Sequence, residues 1–171
     1  MKKLLFFTAL FSVLSLGSVI DRISAEEGAM TESPMALGFG PELNMNSRKN
    51  LAWGMSAAFD YNLPIAIAPF TAGASISVSD NFNSVTVMEP GGMFRWYFGP
   101  AAVSYLGFFA QADLGLHLLL DDGDPEVRFM AGLRGGYRFT VMPLIYIEPY
   151  ARFGYPFMFG FGAVGGVRIK N

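Results

Sequence analysis

The sequence predicts an all-β fold, an antiparallel eight-stranded up-and-down β-barrel that spans a membrane. Apolar and polar residues alternate with a period of two from Met35 onward, which places alternate side chains on opposite faces of a strand. Hydrophobic residues make up 52% of the chain and charged residues 15%, against roughly 25% charged in ordinary globular domains. Glycines and charges share one face of the strands, while bulky aromatic residues occupy the other.

Residues 1–25 have the composition of a secretory signal peptide. Lys2 and Lys3 precede an apolar run over residues 4–16, and the small residues Ser24 and Ala25 close the segment. A basic start, a short apolar core and small residues at the cleavage site are typical of such peptides. A retained N-terminal anchor is the alternative, although the run is short for a span of about 20 residues. We expect cleavage after Ala25, a short polar leader over residues 26–34, and a barrel domain over residues 35–171.

Eight segments carry the alternation, and turn-forming residues separate them. In the clearest segment, Arg128, Arg134 and Arg138 share one face and apolar residues occupy the other. Tight connections at residues 62–64, 98–100 and 142–143 broadly alternate with more polar ones at 47–50, 80–84 and 121–125. Short periplasmic turns and longer external loops alternate in this way in outer-membrane barrels. The predicted strands are 35–46, 51–62, 65–79, 86–98, 103–120, 126–140, 144–155 and 157–170.

Four prolines fall inside the predicted strands: Pro41, Pro69, Pro90 and Pro149. Proline has no N–H to donate to the ladder, and a closed barrel has no edge strand to hold it. We therefore expect bulges or strand ends at these positions.

The distribution of glycine and bulky residues predicts which face points to lipid. Alternation alone fits a soluble barrel such as a lipocalin equally well. An eight-stranded barrel has an interior only just wide enough for side chains, so the face with most of the twenty glycines is predicted to point inward. The bulky residues predicted to face outward are Phe39, Trp53, Phe59, Phe70, Phe94, Trp96, Phe108, Leu114, Phe129, Phe153, Phe159 and Phe161.

Aromatic residues near the strand ends predict two girdles at the membrane interfaces. The girdle at the tight-turn ends is predicted from Tyr61, Tyr97, Phe98, Tyr105, Tyr137, Phe139 and Tyr146. The girdle at the other ends is predicted from Trp53, Phe157 and Phe159.

The glycine-bearing face also carries nearly balanced charges, which predicts a salt-bridged interior. Lysine occurs only at positions 2, 3, 49 and 170, whereas arginine is suited to buried bidentate pairing with carboxylates. Simple hairpin registers put Asp113 beside Arg134, and Arg138 beside Glu148. The predicted lumen charge network consists of Glu42, Asp60, Glu89, Arg95, Asp113, Arg128, Arg134, Arg138, Glu148, Arg152 and Arg168, with His117 at the lumen rim.

The sequence predicts neither an enzyme nor a cofactor or metal site. Cysteine is absent and His117 is the single histidine, which leaves little for a transition-metal site. Ser77, Ser79 and Glu126 could lie at the height of His117, which loosely permits a Ser/His/acid arrangement. No serine adjoins His117 and no Gly-x-Ser-x-Gly occurs, so His117 is interpreted as a hydrogen-bonding rim residue. The net charge of −2 and the lack of a basic cluster argue against nucleic-acid binding.

Three stretches, residues 38–46 (GFGPELNMN), 94–98 (FRWYF) and 148–157 (EPYARFGYPF), resemble the small eight-stranded outer-membrane barrels. That class includes OmpX, the OmpA membrane domain and OmpW, and the chain is more closely similar to a group of spirochaete outer-membrane barrels. The resemblance implies an integral protein of the bacterial outer membrane. It also implies either passage of small, often apolar, molecules or contact with a host.

Three functions follow as hypotheses. The first is a narrow, porin-like channel for passive passage of a small-molecule solute, argued from the polar interior and by fold analogy. The second is a non-conducting structural or adhesin-like barrel, with a host ligand as its possible partner. The third and most distant is a lipid-modifying enzyme. In every case the expected partners are outer-membrane lipids and, during biogenesis, periplasmic chaperones and the barrel-assembly machinery.

Overall fold

The chain forms a closed antiparallel barrel in which each strand pairs with the next and β1 pairs with β8. The computed structural model describes residues 34–46, 51–65, 68–80, 86–120 and 125–169. The predicted signal peptide and most of the polar leader lie outside these residues. The eight strands of the described chain are β1 Met35–Asn46, β2 Leu51–Asn62, β3 Phe70–Asp80, β4 Thr86–Phe98, β5 Gly107–Leu120, β6 Glu126–Met142, β7 Ile145–Tyr155 and β8 Phe157–Ile169. The predicted fold class and strand number are confirmed.

Two strands begin later than predicted. β3 begins at Phe70 rather than residue 65, directly after Pro69, which cannot donate to a ladder. β5 begins at Gly107 rather than residue 103, because a short 3₁₀ helix occupies Ala102–Ser104. Tyr105 and Gly107 both have positive φ, 55° and 84°, and this left-handed backbone returns the chain to the sheet. The remaining bounds agree to within two residues, the usual uncertainty of strand ends.

The expectation of bulges or strand ends at the prolines holds for Pro69, which directly precedes β3, and was wrong for Pro41, Pro90 and Pro149, which lie inside strands without a bulge. The paired positions of β1 and β8 run from Phe39–Gly165 to Glu42–Gly162 with the register unchanged across Pro41. Pairing of β4 with β5 likewise omits Pro90, and pairing of β7 with β6 omits Pro149. A proline therefore interrupts the ladder on one side, while the other side continues. Register shifts in the described strands occur elsewhere, at Met45/Asn46 and Thr140/Met142.

The outer surface of the barrel is apolar, as expected for a transmembrane barrel. Of the bulky residues predicted to face outward, Phe70 is half-buried and the others are between 38% and 67% exposed. The strands have 11 to 17 residues, enough for a tilted transmembrane strand of about ten residues. No helix in the described parts of the chain is long and apolar enough to cross a membrane. The chain is thus a transmembrane barrel with aromatic and aliphatic side chains toward lipid.

Three aromatic residues assigned to the girdles lie inside the barrel instead. Tyr97 and Tyr146 are buried because each shares its strand face with an inward charge two residues away, Arg95 and Glu148 respectively. Phe157 is buried as well, and the next two residues of β8 are both exposed, so the alternation changes phase there. The interior is therefore more aromatic than the sequence analysis expected.

The inward glycines make room for these rings. A Cβ added at Gly166 would strike the Tyr146 ring, and one at Gly162 would strike the Tyr150 ring. At Gly132 the Phe157 ring would be 2.9 Å away. By contrast, a Cβ at the outward Gly165 would meet nothing within 4 Å. The side-chain volume of the interior is thus concentrated in a few large residues between glycines.

Candidate functional site

The candidate site is the barrel interior, which has two distinguishable ends. We call the end with the β2–β3, β4–β5 and β6–β7 links the turn end, and the opposite end the loop end. Every member of the predicted lumen network is buried except Arg128, which lies at the loop end of its strand. That residue is paired with Glu126 at 2.6 Å, and both side chains are well exposed, 39% and 44%. Arg128 therefore lies outside the buried network.

Four charged residues near the turn end form what we call the turn-side cluster: Asp60, Arg95, Arg138 and Glu148. Arg138 donates from Nε to Glu148 Oε2 at 2.7 Å and from Nη2 to Asp60 Oδ2 at 2.7 Å. Arg95 Nη2 lies 2.8 Å from Glu148 Oε1, and Arg95 Nη1 lies 3.6 Å from Asp60. Two guanidinium groups thus face two carboxylates, and the cluster is neutral by itself.

Neutral side chains complete the surroundings of Arg95 and Arg138. Gln111 Oε1 accepts two hydrogen bonds from Arg95, at 2.8 and 2.6 Å, and its amide donates to Asp113 at 2.6 Å. The guanidinium of Arg95 lies 4.2 Å from the centroid of the Phe109 ring, and that of Arg138 lies 4.2 Å from the centroid of Tyr146. Such contacts stabilise a cation that has lost its water.

A second group, the loop-side cluster, consists of Glu42, Glu89, His117 and Arg152. Arg152 Nη1 donates to Glu42 at 2.8 Å and Nη2 to Glu89 at 2.5 Å. The second oxygen of Glu89 lies 2.7 Å from His117 Nδ1. Glu42 also accepts from Tyr150 Oη at 2.5 Å, with further hydrogen bonds from Asn44 and Ser77. Both carboxylates are therefore held by several donors.

Asp113 and Arg134 form a looser pair between the two clusters. Arg134 Nε is 3.7 Å from Asp113 Oδ2, and this buried Nε has no hydrogen-bond partner among the described residues. The guanidinium lies 4.3 Å from the centroid of Tyr150. Asp113 instead takes its short hydrogen bond from Gln111. The structure brings this pair together, but with weaker geometry than Arg138 and Glu148.

The buried charges balance across the described interior. Five guanidinium groups and five carboxylates are each 5% exposed or less. Unpaired charge at membrane depth would be very costly, and a buried pair needs good geometry and additional hydrogen bonds to offset its desolvation. The residues are Arg95, Arg134, Arg138, Arg152 and Arg168, with Glu42, Asp60, Glu89, Asp113 and Glu148.

Arg168 holds a segment that folds across the turn end. We call residues 99–106, the β4–β5 link, the strap. Arg168 Nη2 donates to the carbonyl oxygens of Ser104 and Tyr105 at 3.0 and 2.9 Å. The Tyr105 hydroxyl donates to the carbonyl of Leu63 in the β2–β3 link at 3.2 Å, and burial raises its pKa above the ordinary value. Leu106 is buried beneath. The strap thus covers the turn-side cluster.

Sequence reasoning missed several interior residues that hold the charges in place. Gln111 and Tyr150 share their faces with Asp113 and Glu148, so strand parity alone could have placed them inside. Ser77, which the sequence analysis considered only for a catalytic arrangement, follows the same rule, since it lies opposite Glu89 on β4. Gln111 lies directly opposite Arg95 on the adjacent strand β4, so this partner could have been read from the hairpin register. The shared partner of Tyr150 and Ser77 could not, because Glu42 lies on β1, which is adjacent to neither β7 nor β3.

The residues considered for a catalytic arrangement have separate partners. Ser77 donates to Glu42, Glu126 pairs with Arg128, and His117 bonds to Glu89. A nucleophile, base and acid need to be linked by successive hydrogen bonds. Ser77, His117 and Glu126 are not linked in that way.

These features define a class of protein, the eight-stranded transmembrane β-barrel with a filled interior. Comparison with solved structures gives the same class. Neisserial surface protein A, NspA, superimposes with a TM-score of 0.58 at 13% identity, covering 80% of this chain and 96% of that chain. A de novo designed barrel, TMB2.3, gives 0.49 at 16% identity over 81% and 96%. Ail, the attachment invasion locus protein of Yersinia pestis, gives 0.47 at 12% identity over 80% and 96%.

Sequence comparisons add no relative to these structural likenesses. No family model matches the chain, and no curated protein matches it. The likeness to NspA therefore concerns the fold. Function has to be argued from the interior and the surface of this barrel.

Proposed function

We propose that the chain is an outer-membrane barrel with an interior sealed to solutes, serving as a structural or surface-presenting protein. The signal-peptide composition of residues 1–25 and the fold shared with a neisserial surface protein support an outer-membrane location. The apolar exterior supports stable insertion there.

The observation that carries the proposal is that ion pairs cross the lumen. Arg138 on β6 reaches Asp60 on β2, the strand diametrically opposite in an eight-stranded ring. Arg152 on β7 contacts Glu42 on β1 and Glu89 on β4 at once. Side chains that join opposite walls obstruct passage along the lumen, which supports a sealed interior. Separating such a pair would leave each buried charge without its partner, which is costly, so we expect opening to be rare.

Short connections at the loop end limit the surface that the barrel presents outside the membrane. The links are residues 47–50, 81–85, 121–125 and the single residue Pro156. Extended loops that could wrap a host ligand are therefore missing from these four links. This favours a structural role over a strongly adhesive one within the same proposal.

Solute flux through folded protein tests the proposal. We expect the native barrel, in planar bilayers and in liposome-swelling assays, to give no conductance or swelling above protein-free membranes. A general porin in the same bilayers is the positive control, and a heat-dependent shift on gels shows that the barrel is folded. Steady flux from folded protein would overturn the sealed interior and restore the channel hypothesis.

Location and catalysis need separate measurements. Outer-membrane fractionation with protease shaving tests whether the loop end faces outward. For the enzyme hypothesis, native protein and His117→Ala are compared in a lipid-hydrolysis assay. We expect the same background rate from both, because His117 is bonded to Glu89 and not to a serine.

A further inference from the structure

Two apolar furrows run along the outside of the barrel, one on each side of β1. The first is lined by Leu37, Ala57, Phe59 and Ala74 among others and has a volume of about 400 Å³. The second is lined by Phe39, Gly165 and neighbouring residues and has a volume of about 410 Å³. Leu37 borders both, so β1 forms the ridge between them.

The register of five strands explains why the furrows exist. Ile147, Gly165, Phe39, Ala57 and Ile76 lie side by side in one row across β7, β8, β1, β2 and β3. Large outward side chains on β7, β1 and β3 alternate with a glycine on β8 and an alanine on β2. Phe39 is 67% exposed and rises between two strands that present a hydrogen atom and a methyl group. Gly165 on β8 lies in the floor of the second furrow, and Ala57 on β2 with Ala74 on β3 lies in that of the first.

The width of each furrow restricts what fits. Neighbouring strands are about 4.8 Å apart, so the large residues that flank Gly165 and those that flank Ala57 lie on strands separated by roughly 10 Å between backbones. The ridge side chains occupy part of that distance. A transmembrane helix has a diameter of about 10–12 Å with its side chains and is too wide to reach the floor. A single hydrocarbon chain is narrow enough.

We propose that each furrow binds one acyl chain of a membrane phospholipid. Both furrows lie within the exposed apolar band that faces lipid, so their walls are continuous with the lipid-contacting surface. In a bilayer, close packing rather than water exclusion favours association. A chain in the furrow contacts the floor and both walls, whereas a chain on a flat part of the barrel contacts one side. The proposal depends on membrane insertion and not on a sealed lumen.

Native mass spectrometry of protein taken from phosphatidylethanolamine/phosphatidylglycerol vesicles tests the proposal. We expect phospholipid to remain bound to the native barrel. Gly165→Leu places a side chain in the second furrow, and Ala57→Leu places a larger one in the first. Each variant is expected to weaken phospholipid binding at its own furrow about tenfold, which corresponds to 1.4 kcal/mol. The double variant is expected to retain almost none. Gly165→Leu is compatible with folding, since an added Cβ meets nothing within 4 Å.

Gly135→Leu is the matched control. Gly135 also faces outward, and the nearest atom to an added Cβ is 3.9 Å away. Its neighbours in the row are Ala110 and Ala151, so it is flanked by no ridges, and lipid retention is expected to stay at the native level. Equal retention by Gly165→Leu and Gly135→Leu would overturn the proposal. So would a native barrel dimer that Gly165→Leu dissociates, since a second copy would then occupy the furrow. Conductance is measured separately, so a failure here is distinguishable from a failure of the sealed interior.

Discussion

Replacing Arg138 with alanine removes the guanidinium that joins Glu148 on β7 to Asp60 on β2. Both carboxylates keep contacts with Arg95, at 2.8 Å and 3.6 Å, but one arginine then faces two buried acids. Removing one partner of a buried pair costs about 3–5 kcal/mol. The retained contacts favour the lower end of that range, and loss of the cation–π contact with Tyr146 adds about 1 kcal/mol. We expect a loss of about 3–4 kcal/mol in the free energy of unfolding.

The assay is urea-dependent unfolding of the barrel reconstituted in lipid vesicles, followed by the heat-dependent shift on gels. Arg128→Ala is the matched control, because Arg128 and Glu126 form a pair that is open to solvent. Exposed pairs contribute roughly 0–1 kcal/mol. We therefore expect the urea midpoint to fall for Arg138→Ala and to stay nearly unchanged for Arg128→Ala.

A compensating variant separates charge from packing. Arg138→Met with Glu148→Gln removes one cation and one anion together, so Arg95 and Asp60 remain as a balanced pair. Replacing both charges of a buried pair is often close to neutral, and we expect at least half of the lost stability to return. Equal midpoints for Arg138→Ala and Arg128→Ala would refute the reasoning, because the buried cluster would then contribute no more than an exposed pair.

Three further predictions use the same unfolding and gel assays. Arg134→Ala is expected to cost less than Arg138→Ala, about 1–2 kcal/mol, because Asp113 keeps its hydrogen bond from Gln111; an equal or larger loss would contradict this. Gly166→Leu is expected to prevent folding, because its Cβ would strike the Tyr146 ring, whereas Gly165→Leu, one residue away on the outer face, should fold. If both variants fold, the assignment of inner and outer faces is contradicted. Arg168→Gln is expected to expose the strap to chymotrypsin at Tyr105 in detergent-solubilised barrel, since the Arg168 bonds to Ser104 and Tyr105 are weakened; unchanged cleavage would contradict a tethering role.

The alternation of odd and even positions between the two faces of a strand accounts for the features that could be predicted from sequence. Period-two alternation located the eight strands, and the glycine-bearing face told inside from outside. Adjacent pairing follows from hairpin registers, which is why Arg138 and Glu148, on β6 and β7, could be placed side by side. The girdle assignment failed for Tyr97 and Tyr146 because distance from a strand end was given more weight than parity.

Contacts across the lumen could not be predicted, because they depend on how the sheet closes. The angular position of a side chain follows from strand tilt and stagger, which no single hairpin determines. Arg138 and Asp60 are 78 residues apart, and nothing in the spacing pairs them. The strap was missed for another reason. Its path depends on left-handed backbone at Tyr105, and tyrosine is not a residue that indicates such a conformation.

The same geometry links neutralisation of the charges to closure of the barrel. Arg152 on β7 has its partners on β1 and β4, and Arg95 on β4 has Glu148 on β7. An isolated hairpin or an open sheet in the membrane would therefore hold these side chains without their partners. Unpaired charge at membrane depth is costly. Each charge that lacks its partner therefore raises the free energy of a partly closed sheet relative to the closed barrel. The cross-lumen pairs thus stabilise the closed barrel relative to its open intermediates, beyond their effect on the folded state alone.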